Sequence, residues 1–112
     1  MAEQPSYRVE RINELMRREL VGLFKHQVND PRLQQVRVTD VETARDLSSA
    51  RIFYTVEENQ KPIVQPLLDK ASGFFRTQLS KSLELRHTPA LRFIYDSAPN
   101  AGARIEELIA KL

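Results

Sequence analysis

The chain has 112 residues, 41% hydrophobic and 29% charged, which is the size and balance of one globular domain, residues 1–112, with a single core. It contains no cysteine, which excludes disulfides, thiolate chemistry and cysteine metal sites, and suits a reducing cytosol. A net charge of +2 and a predicted pI of about 9.2 permit a nucleic-acid partner without demanding one.

No apolar run approaches the roughly 20 residues that span a bilayer, and MAEQPSYRVER has no apolar core of the kind a secretory signal needs. The expectation is a cytoplasmic protein with no membrane role, and residues 1–6 are expected to be flexible. From Tyr7 to His26, Val9, Ile12, Met16, Leu20 and Leu23 recur at spacings of three and four, one face of a helix, with Ser6 as its N-cap. The helix should stop before Asp30-Pro31, since a residue preceding proline is pushed out of the α region. Val36 and Val38 then alternate with Arg37 and Thr39 as a strand. Val41 breaks that parity, which predicts a bulge or a strand end near Thr39-Asp40.

Asp46-Leu47-Ser48-Ser49 is turn material, and ARIFYTV is a second strand, with Ala50, Ile52, Tyr54 and Val56 on one face and Arg51, Phe53 and Thr55 on the other. From Pro62 the helical period returns, with Ile63, Val64, Leu67, Leu68 and Ala71 as its stripe. Pro66 is tolerable there only within the first turn or so. Gly73 is expected to break this segment into two helices, the second carrying Phe75, Leu79 and Leu83 and ending at His87-Thr88-Pro89. ALRFIYD is a third strand, and Asn100 caps a last helix with Ile105, Leu108, Ile109 and Leu112 as its apolar stripe. Three strands with helices on one face would bury all these stripes in two layers, an α+β fold.

The order strand, helix, short break, helix, strand is the connectivity of a KH domain. KH domains clamp a nucleic-acid backbone with a Gly-x-x-Gly loop between the helices. Here the break, in KASGFFR, has one glycine, which more often marks a kink or a packing contact. Taken together, RVERINELMRREL, Asp30-Pro31-Arg32, VRVTDVE, ARDLSSARIFYTV, Ala71-x-Gly73-x-x-Arg76, Leu79, Arg86-x-x-Pro89-x-Leu91-x-Phe93, Asp96, Ile105 and Leu108 resemble the ribosome-binding factor A family over nearly the whole chain.

That resemblance implies a type II KH-like fold with an Ala-x-Gly helix kink in place of the Gly-x-x-Gly loop. It implies binding to the immature 30S subunit and its 16S rRNA, a link to rRNA 5′-end processing and to growth in the cold, and no catalytic site. Many family members carry a longer basic or polar C-terminal tail, so this chain, ending at Leu112, is either a short member or lacks that tail. Lys70 and Arg76 are then expected to flank a new helix N-terminus, a favourable place for phosphate. With Ala71 where a first glycine would stand, contact with structured rRNA is expected instead of a clamp on single-stranded nucleotides.

The RNA-binding residues expected are Lys70, Ser72, Gly73, Arg76, Lys81 and Arg86, with Arg45 and Arg51 behind them. Charge reversal at Arg76 and Lys81 is expected to weaken subunit binding and leave thermal stability nearly unchanged. Bland readings compete at each position. Phe75 aligns with Leu79 as core, and Phe74 is better read as packing than as base stacking. Arg11, Arg18 and Lys25 read as a solvated helix face, with Glu14 pairing to Arg18. Arg37, Arg51, Phe53 and Arg92 share the open sheet face, where solvated charge and an RNA platform are equally good readings. Arg32 reads as a structural partner of a carboxylate, and Arg86 is balanced between helix-dipole and RNA roles.

Enzyme readings are poor. His26 and His87 have no companion at metal-ligand spacing, Ser48-Ser49 is no nucleophile elbow, and Asp40, Asp46 and Asp96 suit caps and turns. No cofactor, metal or small-molecule substrate is expected, and a monomer is. The competing functions are a general KH module for single-stranded RNA and a protein-interaction domain with no RNA role.

Overall fold

The computed structural model describes residues 5–97. Helix α1 (Pro5–His26) is followed by a one-turn helix α2 (Pro31–Gln34), strands β1 (Arg37–Thr43) and β2 (Ser49–Thr55), a 3-10 turn at Glu58–Gln60, helix α3 (Lys61–Leu83) and strand β3 (Ala90–Tyr95). The sheet order is β1-β2-β3, with β1 antiparallel and β3 parallel to β2. The parallel pairing requires a crossover, and α3 supplies it. Helices α1 and α3 lie side by side on one face, α1 over β1 and α3 over β3. This is the expected α+β architecture.

Helix α1 starts at Pro5, so Ser6 lies inside the first turn and is not its N-cap, and the helical span reaches into the stretch expected to be flexible. Proline at a first helical position lacks only an N–H that would be unpaired anyway. The cap signal belongs instead to Asp30, whose Oδ1 accepts from the Arg32 main-chain N–H at 2.9 Å and opens α2. Arg32 completes the corner through its guanidinium, 3.1 and 2.9 Å from the two Asp30 oxygens, the structural role expected of it. Those bonds hold the Asp30 carboxyl below the ordinary aspartate range.

The bulge falls where Val41 breaks the alternation. Val38 pairs with Tyr54 and Asp40 with Phe53, leaving Thr39 as the extra residue. Thr39 Oγ1 donates to Asp96 Oδ2 at 2.7 Å, tying β1 to the chain leaving β3. Beyond the bulge, the Val41 N–H donates to Asp40 Oδ1 (2.8 Å) and the Thr43 N–H to Asn13 Oδ1 on α1 (3.0 Å). In the turn, Leu47 takes the left-handed φ of 63°, while Asp46 Oδ1 accepts from the main-chain N–H and hydroxyl of Ser48.

The Gly73 expectation needs correction. Helix α3 runs as one element of 23 residues from Lys61 to Leu83, with no break into two helices at Gly73. Glycine in a helix interior costs about 1 kcal/mol relative to alanine. Against that stands the burial of Val64 and Leu68 before Gly73 and of Phe75 and Leu79 after it. Each such side chain contributes about 1.5–3 kcal/mol when removed from water. Leu68 and Phe75 are seven residues apart, two turns, so one uninterrupted helix keeps both in the core. Pro66 also sits inside this helix, past its first turn. The helix ends at Leu83, before His87, with Glu84 in the left-handed conformation (φ 51°) reversing the chain toward β3.

The core is one cluster. Met16, Leu20 and Leu23 come from α1, Ile52 and Tyr54 from β2, and Leu91 and Phe93 from β3. Phe24, one position beyond the expected α1 stripe, is buried as well. Its ring centroid lies 4.6 Å from that of Phe75 and 6.4 Å from that of Phe93. The helix expected from Asn100 lies outside the described residues.

Candidate nucleic-acid interface

A helical period of 3.6 sorts the side chains of α3 into stripes. Lys70, Gly73, Phe74, Thr77 and Lys81 recur at three and four and are all exposed. The adjacent flank, turned toward β3, carries Asp69, Ser72, Arg76 and Ser80. Ser72 is half-buried, its hydroxyl donating back to the Asp69 carbonyl at 3.0 Å, a local helix bond. Because Gly73 opens no new helix, Lys70 and Arg76 flank no helix N-terminus. The free N–H groups that a KH loop offers to phosphate are not presented there.

The Arg76 guanidinium has a different task. Its Nε and Nη2 both donate to the Thr88 carbonyl, at 3.0 and 2.8 Å. This fastens the loop that follows Glu84 to the side of α3. Pro89, fully buried, fastens the same end of the loop, where it enters β3. Between loop and helix lies a shallow depression of about 470 Å³. Arg76, Lys81, Arg86 and His87 line it together with the hydroxyl residues Thr77 and Ser80. The three cations are among the residues expected from sequence; the two hydroxyls are not. Their signal was present, since Ser80 lies four positions beyond Arg76 on the same flank and Thr77 shares the neighbouring stripe with Lys81.

The remaining expected residues fall elsewhere. Arg45 lies in the β1–β2 turn, which reaches the same end of the sheet: the Ala90 N–H donates to the Ser48 carbonyl at 3.0 Å, and Ser49 is in register with Ala90. Arg51 is on the helix-free sheet face, in register with Arg92. Its charge is met by Glu42 on β1 at 2.8 Å, and its guanidinium lies 5.9 Å from the Phe53 ring centroid. On α1, Glu14 pairs with Arg17 at 2.7 Å and with Arg18 at 3.2 Å, which lowers the carboxyl's pKa. The Glu14–Arg18 pair expected on that face is present, with Arg17 as a second partner. Phe75 is fully buried as expected, while Phe74 is 43% exposed with its ring edge-on to Phe75.

Among the described residues, no group of three or more His, Cys, Asp or Glu side chains could hold a metal ion. No helix among them is long and apolar enough to cross a membrane. The depression offers cations and hydroxyl donors with no carboxylate, an arrangement suited to binding an anion.

The fold and this basic end together define a type II KH-like α+β domain, in which a continuous helix passes the position of the Gly-x-x-Gly loop. A family model described as ribosome-binding factor A matches residues 8–109. The ribosome-binding factor A of Vesicomyosocius okutanii is 64% identical over 110 residues, covering 98% of this chain and 96% of that one. The chain belongs to the ribosome-binding factor A family. A solution structure of a Thermotoga maritima protein, described as a putative ribosome binding factor A, superposes with a TM-score of 0.70 at 28% identity, covering 87% of this chain and 94% of that one. A homology model of the Thermus thermophilus ribosome binding factor A, fitted into the cryo-EM map of its complex with the 30S subunit, matches with a TM-score of 0.63 at 23% identity, covering 79% of this chain and 94% of that one.

Proposed function

We propose that this protein is a cytoplasmic assembly factor that acts as a monomer, binds the immature 30S subunit through its 16S rRNA and assists its maturation, including processing of the rRNA 5′ end, without a cofactor. The observation that carries the reading is the depression between α3 and the loop before β3, lined by cations and hydroxyls with no carboxylate among them, on a chain whose family includes a member fitted into the cryo-EM map of a 30S complex. Phosphate contacts made by lysine and arginine release counterions, so such binding weakens steeply as salt rises. The unbroken α3 supports contact with folded rRNA over a clamp on single strands, because its main-chain N–H groups are engaged within the helix.

The test is co-sedimentation with isolated 30S subunits across a salt series, beside the same assay with a short single-stranded RNA. Subunit binding that falls steeply with salt, with little oligonucleotide binding, supports the proposal. Comparable oligonucleotide binding favours a general single-stranded RNA module, and binding that ignores salt favours a protein partner.

A further inference from the structure

The other arginines with partners among the described residues pair with acids: Arg17 and Arg18 with Glu14, Arg32 with Asp30, Arg51 with Glu42. The depression between α3 and the loop before β3 is different. Arg76, Lys81 and Arg86 converge on it, and no carboxylate lines it. Like charges held together in this way repel unless an anion joins them. Thr77 and Ser80 add hydroxyl donors on the helix side, and His87 adds a ring N–H on the loop side.

The loop is already fixed before any ligand arrives. Glu84 reverses the chain, Pro89 is buried, and Arg76 spends two of its five N–H groups on the Thr88 carbonyl. A site whose backbone is ordered in advance loses less entropy on binding.

We propose that this depression is a seat for a single RNA phosphate, which Lys81 and Arg86 hold jointly from the helix side and the loop side. Thr77 and Ser80 add directional hydrogen bonds, and Arg76 is a positioning residue that keeps Arg86 and His87 opposite the helix. This deepens the 30S-binding proposal and rests on it for the identity of the RNA. The phosphate is either an internal phosphodiester or a terminal phosphomonoester; both present the same acceptor oxygens.

Two measurements test it. The first is an amide NMR titration of the whole chain with inorganic phosphate, then with a trinucleotide with and without a 5′ phosphate. Saturable shifts clustered at residues 76–88, absent in Lys81→Gln/Arg86→Gln, support the seat. Tighter binding of the 5′-phosphorylated trinucleotide assigns it to a chain end, and equal binding assigns it to the backbone. No clustered shifts with any of the three would overturn the seat. The second is the salt dependence of 30S binding. If one phosphate is shared, Lys81→Gln, Arg86→Gln and the double variant each lower the slope of log K against log salt by about one. A double variant that lowers it by about two shows two independent contacts and overturns the shared seat.

The two proposals fail separately. Phosphate shifts in a protein that ignores 30S subunits keep the seat and remove the assembly reading. A wild-type salt slope in the double variant removes the seat and leaves subunit binding intact.

Discussion

Gly73 has a structural context that alanine could share. A Cβ built there meets nothing within 4 Å, and no glycine among the described residues has a positive φ. Gly73→Ala should therefore stabilise the protein by about 0.5–1 kcal/mol, through helix propensity and a less flexible unfolded chain. In thermal unfolding that is a rise of several degrees, since 1 kcal/mol corresponds to about 4–8 °C for a small domain. The same variant reads out contact. A stabilised protein that no longer binds 30S subunits would show RNA lying against the helix backbone, and unchanged binding would take Gly73 out of the interface. Arg76 shows what residue type alone cannot convey. Sequence marks it as a cation near a glycine, and only the folded loop brings the Thr88 carbonyl to it from twelve positions away. Charge reversal at Arg76 therefore changes the loop's anchoring as well as the field, so Lys81 with Arg86 is the cleaner pair.

Among the elements, α3 was legible in period and misread in continuity. The two apolar stripes assigned to separate helices, ending at Ala71 and starting at Phe75, are in phase as one helix, and that phase outweighs a lone glycine. Helix α2 went unread because four residues carry no period; only the Asp30-Pro31 start signal announced it. The sheet was more legible, since strict alternation fixed both faces of β2 and the break at Val41 located the bulge. What alternation cannot show is how α3 is pinned to the sheet. The Tyr54 hydroxyl donates to Gln65 Oε1, and Gln65 Nε2 donates to the Phe93 carbonyl at 2.8 Å and to Asp69 Oδ1 at 3.1 Å. Burial, then the nearby Asp69 carboxylate and Tyr95, push the Tyr54 hydroxyl pKa up to about 12. A folded-state pKa raised above the unfolded value of about 10 gives stability that is complete below pH 10 and fades as pH climbs toward 12. Tyr54→Phe should cost about 1 kcal/mol near neutrality, because Gln65 loses a partner. It should also flatten the fall in urea midpoint across that alkaline window. A midpoint that falls equally steeply in both proteins would mean that another group governs the alkaline loss.

Over the whole molecule, charge is organised by what it faces. On α1 and on the open sheet face, Arg17, Arg18 and Arg51 meet carboxylates; at the end shared by the β1–β2 turn and the loop after α3, Arg76 meets a main-chain carbonyl. A net charge of +2 does not show this, because a sum carries no positions. Neutralising Arg17 and Arg18 together should leave the salt slope of 30S binding unchanged and barely move the thermal midpoint, as expected for exposed ion pairs. A slope that drops as far as it does for Lys81 and Arg86 would place α1 in the interface too. Sequence could name the cations and not this sorting, which depends on which strand and which turn each one lands beside.

The bulge at Thr39 has a further effect at the rim of the sheet. Among the described residues, strand β1 has a neighbour on one side only, and an open strand rim invites a segment of another molecule to add itself by main-chain pairing. Such an addition needs a regular row of outward donors and acceptors. Here the row is interrupted by one surplus residue, and Val41 and Thr43, which share a parity, have their N–H groups already occupied by Asp40 and Asn13. An incoming strand would find a kinked rim with those donors spent. The irregularity that spoils the alternation in the sequence thus also guards the protein against edge-to-edge aggregation.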